Sequence, residues 1–474
     1  MTAHRKAGFI LAFLLLILLP GSRSLLSAQV RTDSLKEADP AVLQKLEWFQ
    51  DLKFGLMMHW GPYSQWGVVE SWSICSEDEP WCQRTMQNYV EYCEAYEQLK
   101  DTFNPAKFNP DQWADAARYA GMKYVVFTTK HHDGFCMFDT RQTDYSITDS
   151  GCAFHANPRA NITKEIFHAF RKDGFGIGAY FSKPDWHSPY YWDPYWAHAD
   201  RNVNYSIEKH PDIWKKFVQF TYNQIQELMT GYGPIDILWL DGGWVNPANR
   251  NQDIDMPAIA RMARSKQPGL IIVDRDVGGK YENYKTPEQQ VPDRPLRYVW
   301  ETCMTMGNSW SYTPDDNYKT TSQLVHLLVD IVAKGGNFLL NIGPTPEGDL
   351  PPVALKRLQE IGDWMKVNGD AIYSTRPVVP YAKDNLRFTK TEHGSVNAIY
   401  LSADSENVMP AEIHLDFLVP SENSNVYLRG YPSPLKWERF GFGVTIIVPE
   451  VARKNPPCKF AWTFVIDKPA KIIE

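Results

Sequence analysis

Between residues 50 and 370 the chain alternates short, nearly unbroken apolar runs with longer stretches whose apolar residues recur every three or four positions. The runs are FGLMMHWG from residue 54, KYVVFTTKHH from 123, FGIGAYFS from 175, IDILWLDGG from 235, LIIVDRD from 270, YVWETC from 298 and NFLLNIGP from 337. Apolar runs without polar alternation are what strands buried on both faces look like. The stretches between them predict amphipathic helices over 111–120, 163–172, 212–230, 256–266, 321–334 and 353–368. Gly121, Gly174, Gly231, Gly269 and Gly335 stand where such helices would stop. Strand-helix alternation implies a parallel sheet. Seven runs over this length favour a (β/α)8 barrel over a doubly wound sheet. No G-x-G-x-x-G turn follows the first run to support a dinucleotide fold.

After about residue 373 the texture changes. Helical periodicity gives way to short β-prone runs such as VNAIYLS, AEIHLDFL, NVYLRG, FGVTIIVP and KFAWTFVI, separated by turn residues. This predicts an antiparallel β-sandwich over 374–474 behind a barrel over 29–373. Residues 1–28 read as a secretory signal peptide: His4, Arg5 and Lys6 precede the apolar stretch Phe9 to Leu19, and Ser27-Ala28 offers a cleavage site. The expected protein is exported, to a periplasm, the medium or a lysosome according to the cell, with no membrane insertion. Seven cysteines in an oxidising compartment allow disulfides, and their odd number leaves at least one thiol free.

A net charge of −7 excludes a nucleic-acid partner as the simplest reading. Seventeen tryptophans point to ligands with apolar C–H faces and many hydroxyls, such as sugars. In a barrel the active site is assembled at the C-terminal ends of the strands. There the runs deliver His59, Lys130, His131, His132, Asp133, Tyr180, Asp241, Asp274, Arg275, Glu301 and Asn341. Asp241 ends an apolar strand and is followed by two glycines, which leave room for a ligand beside a carboxylate. Carboxylates, histidines and aromatics without a phosphate loop fit glycoside hydrolysis. Adjacent His131 and His132 are expected on opposite sides of an extended chain, a poor arrangement for one metal ion. No G-x-S-x-G elbow is present to support a serine hydrolase.

With these residues in view, the sequence resembles the retaining α-L-fucosidases of glycoside hydrolase family 29. The resemblance rests on HWGPYS from 59, KYVVFTTKHHDGF from 123, GIGAYFSKPDW from 176, ILWLDGG from 237 and GNFLLNIGPTPEGDLP from 336, in the family's order. It implies a barrel followed by a β-sandwich, L-fucose as the sugar released from fucosylated glycans, and no cofactor. It also implies Asp241 as the nucleophile, with His59, His131, His132, Tyr180, Trp239 and Arg275 lining the sugar pocket. Glu70 matches a glutamate near the sugar, although the Glu-Trp spacing differs here, and Trp310 matches an aromatic that packs on the sugar's methyl face. Ser311 follows that Trp where members carry Gly.

The acid/base has two candidates, because its position varies across the family. Glu288 lies about a dozen residues after Arg275, where the resemblance puts it; Glu301 ends an apolar strand. The implied reaction is a double displacement through a fucosyl-enzyme ester. A non-catalytic fucose lectin and a glycosidase for a related sugar, such as an α-L-galactoside, are the alternatives. The acidic insert over 73–101 is expected to shape the leaving-group side. Linkage preference and oligomeric state are not written in the pattern.

Overall fold

The computed structural model describes residues 37–75, 82, 84–198, 200–403, 408–422 and 424–472. The segment read as a signal peptide lies outside them. Among the described residues, seven strands form one parallel sheet: β1 (Phe54–Met58), β2 (Tyr124–Lys130), β3 (Gly176–Ser182), β4 (Ile237–Asp241), β5 (Ile271–Asp274), β6 (Glu301–Thr305) and β7 (Asn337–Ile342). Their order is β5-β4-β3-β2-β1-β7-β6. All but the last residue of β4 are buried, as the unbroken apolar runs require.

An eighth regular strand does not stand between β5 and β6. An irregular segment takes its place: Asn283 N–H donates to Ile272 O (2.9 Å) on one side, and Gln289 N–H donates to Cys303 O (3.0 Å) on the other. Glu288 bridges to Cys303 within this segment. The barrel is therefore (β/α)8-like, with one stave built from loop.

The α-helices ahead of residue 373 are α1 (Pro40–Leu52), α2 (Tyr89–Glu97), α3 (Pro110–Tyr119), α4 (Ile162–Lys172), α5 (Pro211–Gly231), α6 (Met256–Lys266), α7 (Thr321–Ala333) and α8 (Pro352–Asn368), and a short α9 (Glu450–Lys454) follows later. Helices α3 to α8 stand where the periodicity predicts them. Their starts follow local chemistry, as in α7, where Thr320 and Gln323 form a reciprocal capping box. Helix α1, which the pattern does not announce, closes the barrel floor. Phe49 stacks on Tyr284 at 4.5 Å and meets Tyr124 edge-on at 5.4 Å, and Asn337 Nδ2 donates to Phe49 O (2.7 Å).

Downstream, ten strands run antiparallel: β8 (Thr375–Lys383), β9 (Leu386–Thr391), β10 (Val396–Leu401), β11 (Glu412–Leu415), β12 (Leu418–Pro420), β13 (Val426–Leu428), β14 (Lys436–Phe440), β15 (Gly443–Ile447), β16 (Ala461–Ile466) and β17 (Pro469–Ile472). They form sheets ordered β13-β16-β10-β9-β8, β11-β15-β14 and β12-β17. Phe388, Trp462 and Phe464 of one sheet share a core with Ile413, Val444 and Ile446 of another. Cys93, Cys136, Cys152, Cys303 and Cys458 are free thiols. Among the described residues no helix is long and apolar enough to cross a membrane.

We propose that the two units divide at Tyr373–Ser374, where Ser374 turns with φ 53° before β8 begins. They meet through an apolar seam: Ile399, Leu401 and Ala461 join the barrel's outer core, and Trp364 Nε1 donates to Ala461 O (2.9 Å). Trp364→Ala is expected to cost about 3–5 kcal/mol in chemical denaturation. It should also open the link over 373–380 to limited proteolysis. First cleavage elsewhere in the described chain would contradict this boundary.

Candidate active site

Asp241 sits where β4 ends, on the rim of a cavity of about 370 Å3. Its Oδ1 accepts from Gly242 N–H (2.8 Å) and Arg275 Nη1 (3.0 Å), and its Oδ2 accepts from Tyr180 OH (2.6 Å). Burial alone would push this carboxyl up. The Arg275 guanidinium, the Tyr180 hydroxyl and the Gly242 amide outweigh it and hold the group well below the usual carboxylate range. Asp241 is ionised at any working pH.

Both glycines after Asp241 are required by space. Gly242 adopts φ 86°, and a Cβ there would meet Pro184 Cδ at 2.3 Å. A Cβ on Gly243 would meet Arg275 O at 2.9 Å. The turn therefore packs against the two neighbouring strand ends while one face of the carboxylate stays open.

Arg275 joins the two carboxylates that matter. Its Nη1 holds Asp241 at 3.0 Å, its Nη2 donates to Glu288 Oε2, and its Nε donates to Thr286 Oγ1 at 3.1 Å. The guanidinium lies over Trp239, 5.1 Å from the ring centroid. Glu288 keeps 42% of its side chain exposed at the cavity mouth.

Glu301, the other glutamate considered for proton transfer, is elsewhere. It is fully buried inside the barrel and does not line the cavity. Tyr124 OH (2.6 Å), Trp239 Nε1 (3.2 Å) and Tyr284 OH (3.3 Å) donate to it. Burial raises its pKa to about 7, against those three donors. It braces Trp239 from beneath.

The histidines depart from expectation. His131 and His132 do not point apart; their rings lie side by side with centroids 4.2 Å apart, and both line the cavity. The reason is local: β2 ends at Lys130, and the chain turns at once, with Gly134 N–H donating to His131 O (3.1 Å). Strand alternation no longer applies beyond that point. Ser182 Oγ donates to Pro184 O (2.6 Å), so it accepts from His132 Nδ1 (2.8 Å) and leaves Nε2 as the acceptor. By the same logic Asn341 Nδ2 donates to Trp310 O (2.6 Å), so its Oδ1 accepts from His59 Nδ1 (2.8 Å). Burial lowers the pKa of His59 and of His132 to about 4, and that of His131 well below its ordinary value. Three neutral imidazoles thus face the cavity. Tyr180, stacked on Trp239 at 5.2 Å, completes this wall.

Glu70 enters from a short 3-10 turn with φ 33°, and Ser311 N–H donates to its Oε1 (2.7 Å). Burial, with help from Glu288 and Asp241, raises its pKa to about 8 despite that bond. At neutral pH it is mostly a neutral acid. The Ser311 side chain adds what a glycine there lacks: its Oγ donates to Val68 O (2.6 Å) and accepts from Glu70 N–H (3.4 Å), tying the Glu70 turn to the Trp310 loop. Trp310 tilts over His59 at 5.1 Å. Glu70, Trp72, Glu288 and Trp310 also line a second cavity of about 720 Å3, whose far side is the loop carrying Asn308, Thr313, Pro314 and Asp315. None of the described residues between 82 and 101 lines it.

Lys130, Asp133 and Asp274, expected at the strand ends, stay out of the cavity. Lys130 pairs with Asp185 (2.9 Å), Lys183 with Asp274 (2.6 Å), and Tyr96 OH donates to Asp133 (2.8 Å). All three acids and both lysines are buried structural pairs.

The alpha-L-fucosidase family model matches residues 26–370, most of the chain. The chain belongs to this family. Relatives match most of its length. Tissue alpha-L-fucosidase of Homo sapiens is 30% identical, with 88% of each chain covered. Alpha-L-fucosidase isoenzyme 1 of Paenibacillus thiaminolyticus superposes with a TM-score of 0.74 at 29% identity, covering 91% of this chain and 100% of that one. An alpha-fucosidase of Thermotoga maritima, solved with a mechanism based inhibitor, gives 0.69 at 27% identity, covering 88% and 96%.

Every residue that the fucosidase resemblance assigns to the pocket lines one cavity: His59, Glu70, His131, His132, Tyr180, Trp239, Asp241, Arg275, Glu288 and Trp310. Sequence reasoning missed Trp72, Arg201 and Trp244, which also line it. The two rings meet at a tilt, 5.7 Å apart, and the Arg201 guanidinium lies against both, 4.9 Å from Trp72 and 5.2 Å from Trp244. These come from loops, where no periodicity signals a direction; Trp72 is the aromatic displaced by one residue in the irregular Glu-Trp spacing. Gly242→Ala tests the turn. With positive φ and a clash at Pro184, it should lose about 1–3 kcal/mol of stability and most activity, read by thermal melting and turnover.

Proposed function

We propose that this α-L-fucosidase releases terminal L-fucose with Asp241 as nucleophile and Glu288 as general acid and then base. The Arg275 fork is the observation that carries the reading. One guanidinium touching both carboxylates keeps them close, in keeping with the roughly 5–5.5 Å spacing of a retaining pair rather than the 6.5–9.5 Å of an inverting one. The mechanism-based inhibitor bound by the Thermotoga maritima relative fits the same chemistry.

Asp241 attacks the anomeric carbon as Glu288 gives its proton to the departing oxygen, and a fucosyl ester forms. Glu288 then takes a proton from water, which attacks the same carbon, and the ester breaks to free Asp241 and fucose of retained configuration. The imidazoles accept sugar hydroxyls, neutral Glu70 donates to one, and Trp310 covers an apolar face. The second cavity, which shares Glu288, receives the leaving group. A lectin has no use for an ionised nucleophile facing a second carboxyl. An α-L-galactosidase differs only at C6, and comparing an aryl α-L-fucoside with its C6-hydroxylated analogue separates the two. The basic and apolar leader implies export, in keeping with relatives named plasma alpha-L-fucosidase.

Asp241→Asn should fold and lose several orders of magnitude in kcat; retention of about a tenth would refute its role. Glu288→Ala should slow sugar leaving groups by about 10²–10⁴-fold while sparing ester formation from an activated aryl fucoside. Azide, which needs no base, should then restore turnover as a fucosyl azide of retained configuration. Glu301→Ala strands three buried donors, at about 1–3 kcal/mol each. It should lower stability and both activities alike, without azide rescue. Rescue at Glu301 and not at Glu288 would reverse the assignment.

A further inference from the structure

We propose that the catalytic centre also binds one divalent transition cation of the zinc type, held by His131, His132 and Asp241, and that this ion inhibits hydrolysis in competition with the sugar. The donor atoms of the three residues all lie within 4.8 Å of one another. His132 Nε2 and Asp241 Oδ2 are 3.9 Å apart. Zinc bonds nitrogen and oxygen at about 2.0–2.2 Å, so one ion spans that gap, and small ring rotations bring in the third donor.

The hydrogen bonds behind the donors supply an independent reason. Ser182 accepts the His132 Nδ1 proton, so the Nε2 lone pair faces a carboxylate oxygen with no proton between them. Two acceptors opposed in a buried wall leave a place for a cation or for a hydroxyl proton of the sugar. His131 also has a hydrogen-bonding partner behind it, Ser71 Oγ at its Nδ1. Metal-binding histidines are usually held outward through their second nitrogen like this. Arg275 opposes a cation, but it grips Oδ1, and its charge is offset by Asp241 and Glu288. Oδ2 carries the Tyr180 proton on one lone pair and offers the other. Two imidazoles and one carboxylate suit zinc, copper, nickel or cobalt. They do not suit magnesium or calcium, which want mostly oxygen. The ion would occupy the oxygen that attacks the sugar, so the inhibition half rests on Asp241 being the nucleophile; the binding half does not.

The test uses the whole enzyme. Zinc should raise KM for an aryl α-L-fucoside, leave kcat unchanged and be reversed by a chelator, while magnesium and calcium at equal concentration do nothing. Cobalt titration should show one ion per chain by visible absorption, displaced by L-fucose. His132→Gln and Asp241→Asn, checked for folding by thermal melting, should weaken cobalt binding at least tenfold. Ser182→Ala, which removes the group that sets the His132 tautomer, should weaken it about 10–100-fold. Cys303→Ser should leave it unchanged; loss there would move the ion to the thiol and overturn the proposal. Non-competitive zinc inhibition, or cobalt binding that survives the His132→Gln, Asp241→Asn double variant, would overturn it too. Turnover retained by Asp241→Asn would instead sink the nucleophile assignment, while fucose-displaceable cobalt binding would still support the ion site.

Discussion

The contact between Arg275 and Asp241 carries the rest of the site. A carboxylate at the end of a buried strand would ordinarily take up a proton, because the interior solvates its charge poorly. A guanidinium at hydrogen-bond distance reverses that; at about 4 Å and an effective dielectric of 20, a charge pair gains roughly 4 kcal/mol. Such a pair is sound only if every remaining donor and acceptor is satisfied. Here that condition organises the neighbours. Thr286 takes the Arg275 Nε proton, Tyr180 and the Gly242 amide donate to Asp241, Trp239 lies under the guanidinium, and Glu301 holds Trp239. Glu301 is thus the far end of a support chain for the nucleophile.

What could be read from the chain follows from which signals are local. Five of the seven barrel strands and the six later helices stand within two residues of their predicted spans, because double-sided burial and helical periodicity are written in consecutive residues. The run at 298 was placed too early: regular pairing starts only at Glu301, since 298–300 pair with the irregular closing segment. That segment, 281–289, contains Pro287 and no two consecutive apolar residues ahead of it, so it lacks the unbroken apolar run of a buried strand. Strands β8 and β14 were missed for a related reason. One holds Pro377 and Pro380, and the other is largely exposed.

The site divides along the same line. Residues at strand ends, such as Asp241, Tyr180 and His59, were legible because the barrel dictates where they point. Lys130 and Asp274 also end strands yet turn outward to partners on neighbouring elements, which one chain's pattern does not reveal. His131 and His132, expected on opposite sides of the chain, share one direction because of the turn at Gly134. Trp72, Trp244 and Arg201 come from three separate segments into one cluster, and only folding brings them together.

The floor of the barrel has a practical consequence. Helix α1 plugs the ends of the strands opposite Asp241, with Phe49 wedged between Tyr124 and Tyr284. Chain preceding Pro40 therefore leaves from the closed side of the barrel. An affinity handle or a covalent linkage to a solid support placed just ahead of this helix would orient immobilised molecules with the cleft facing the liquid. A linkage through the mouth-side loops around Trp310 or Asp315 would bury the very entrance a glycan has to use.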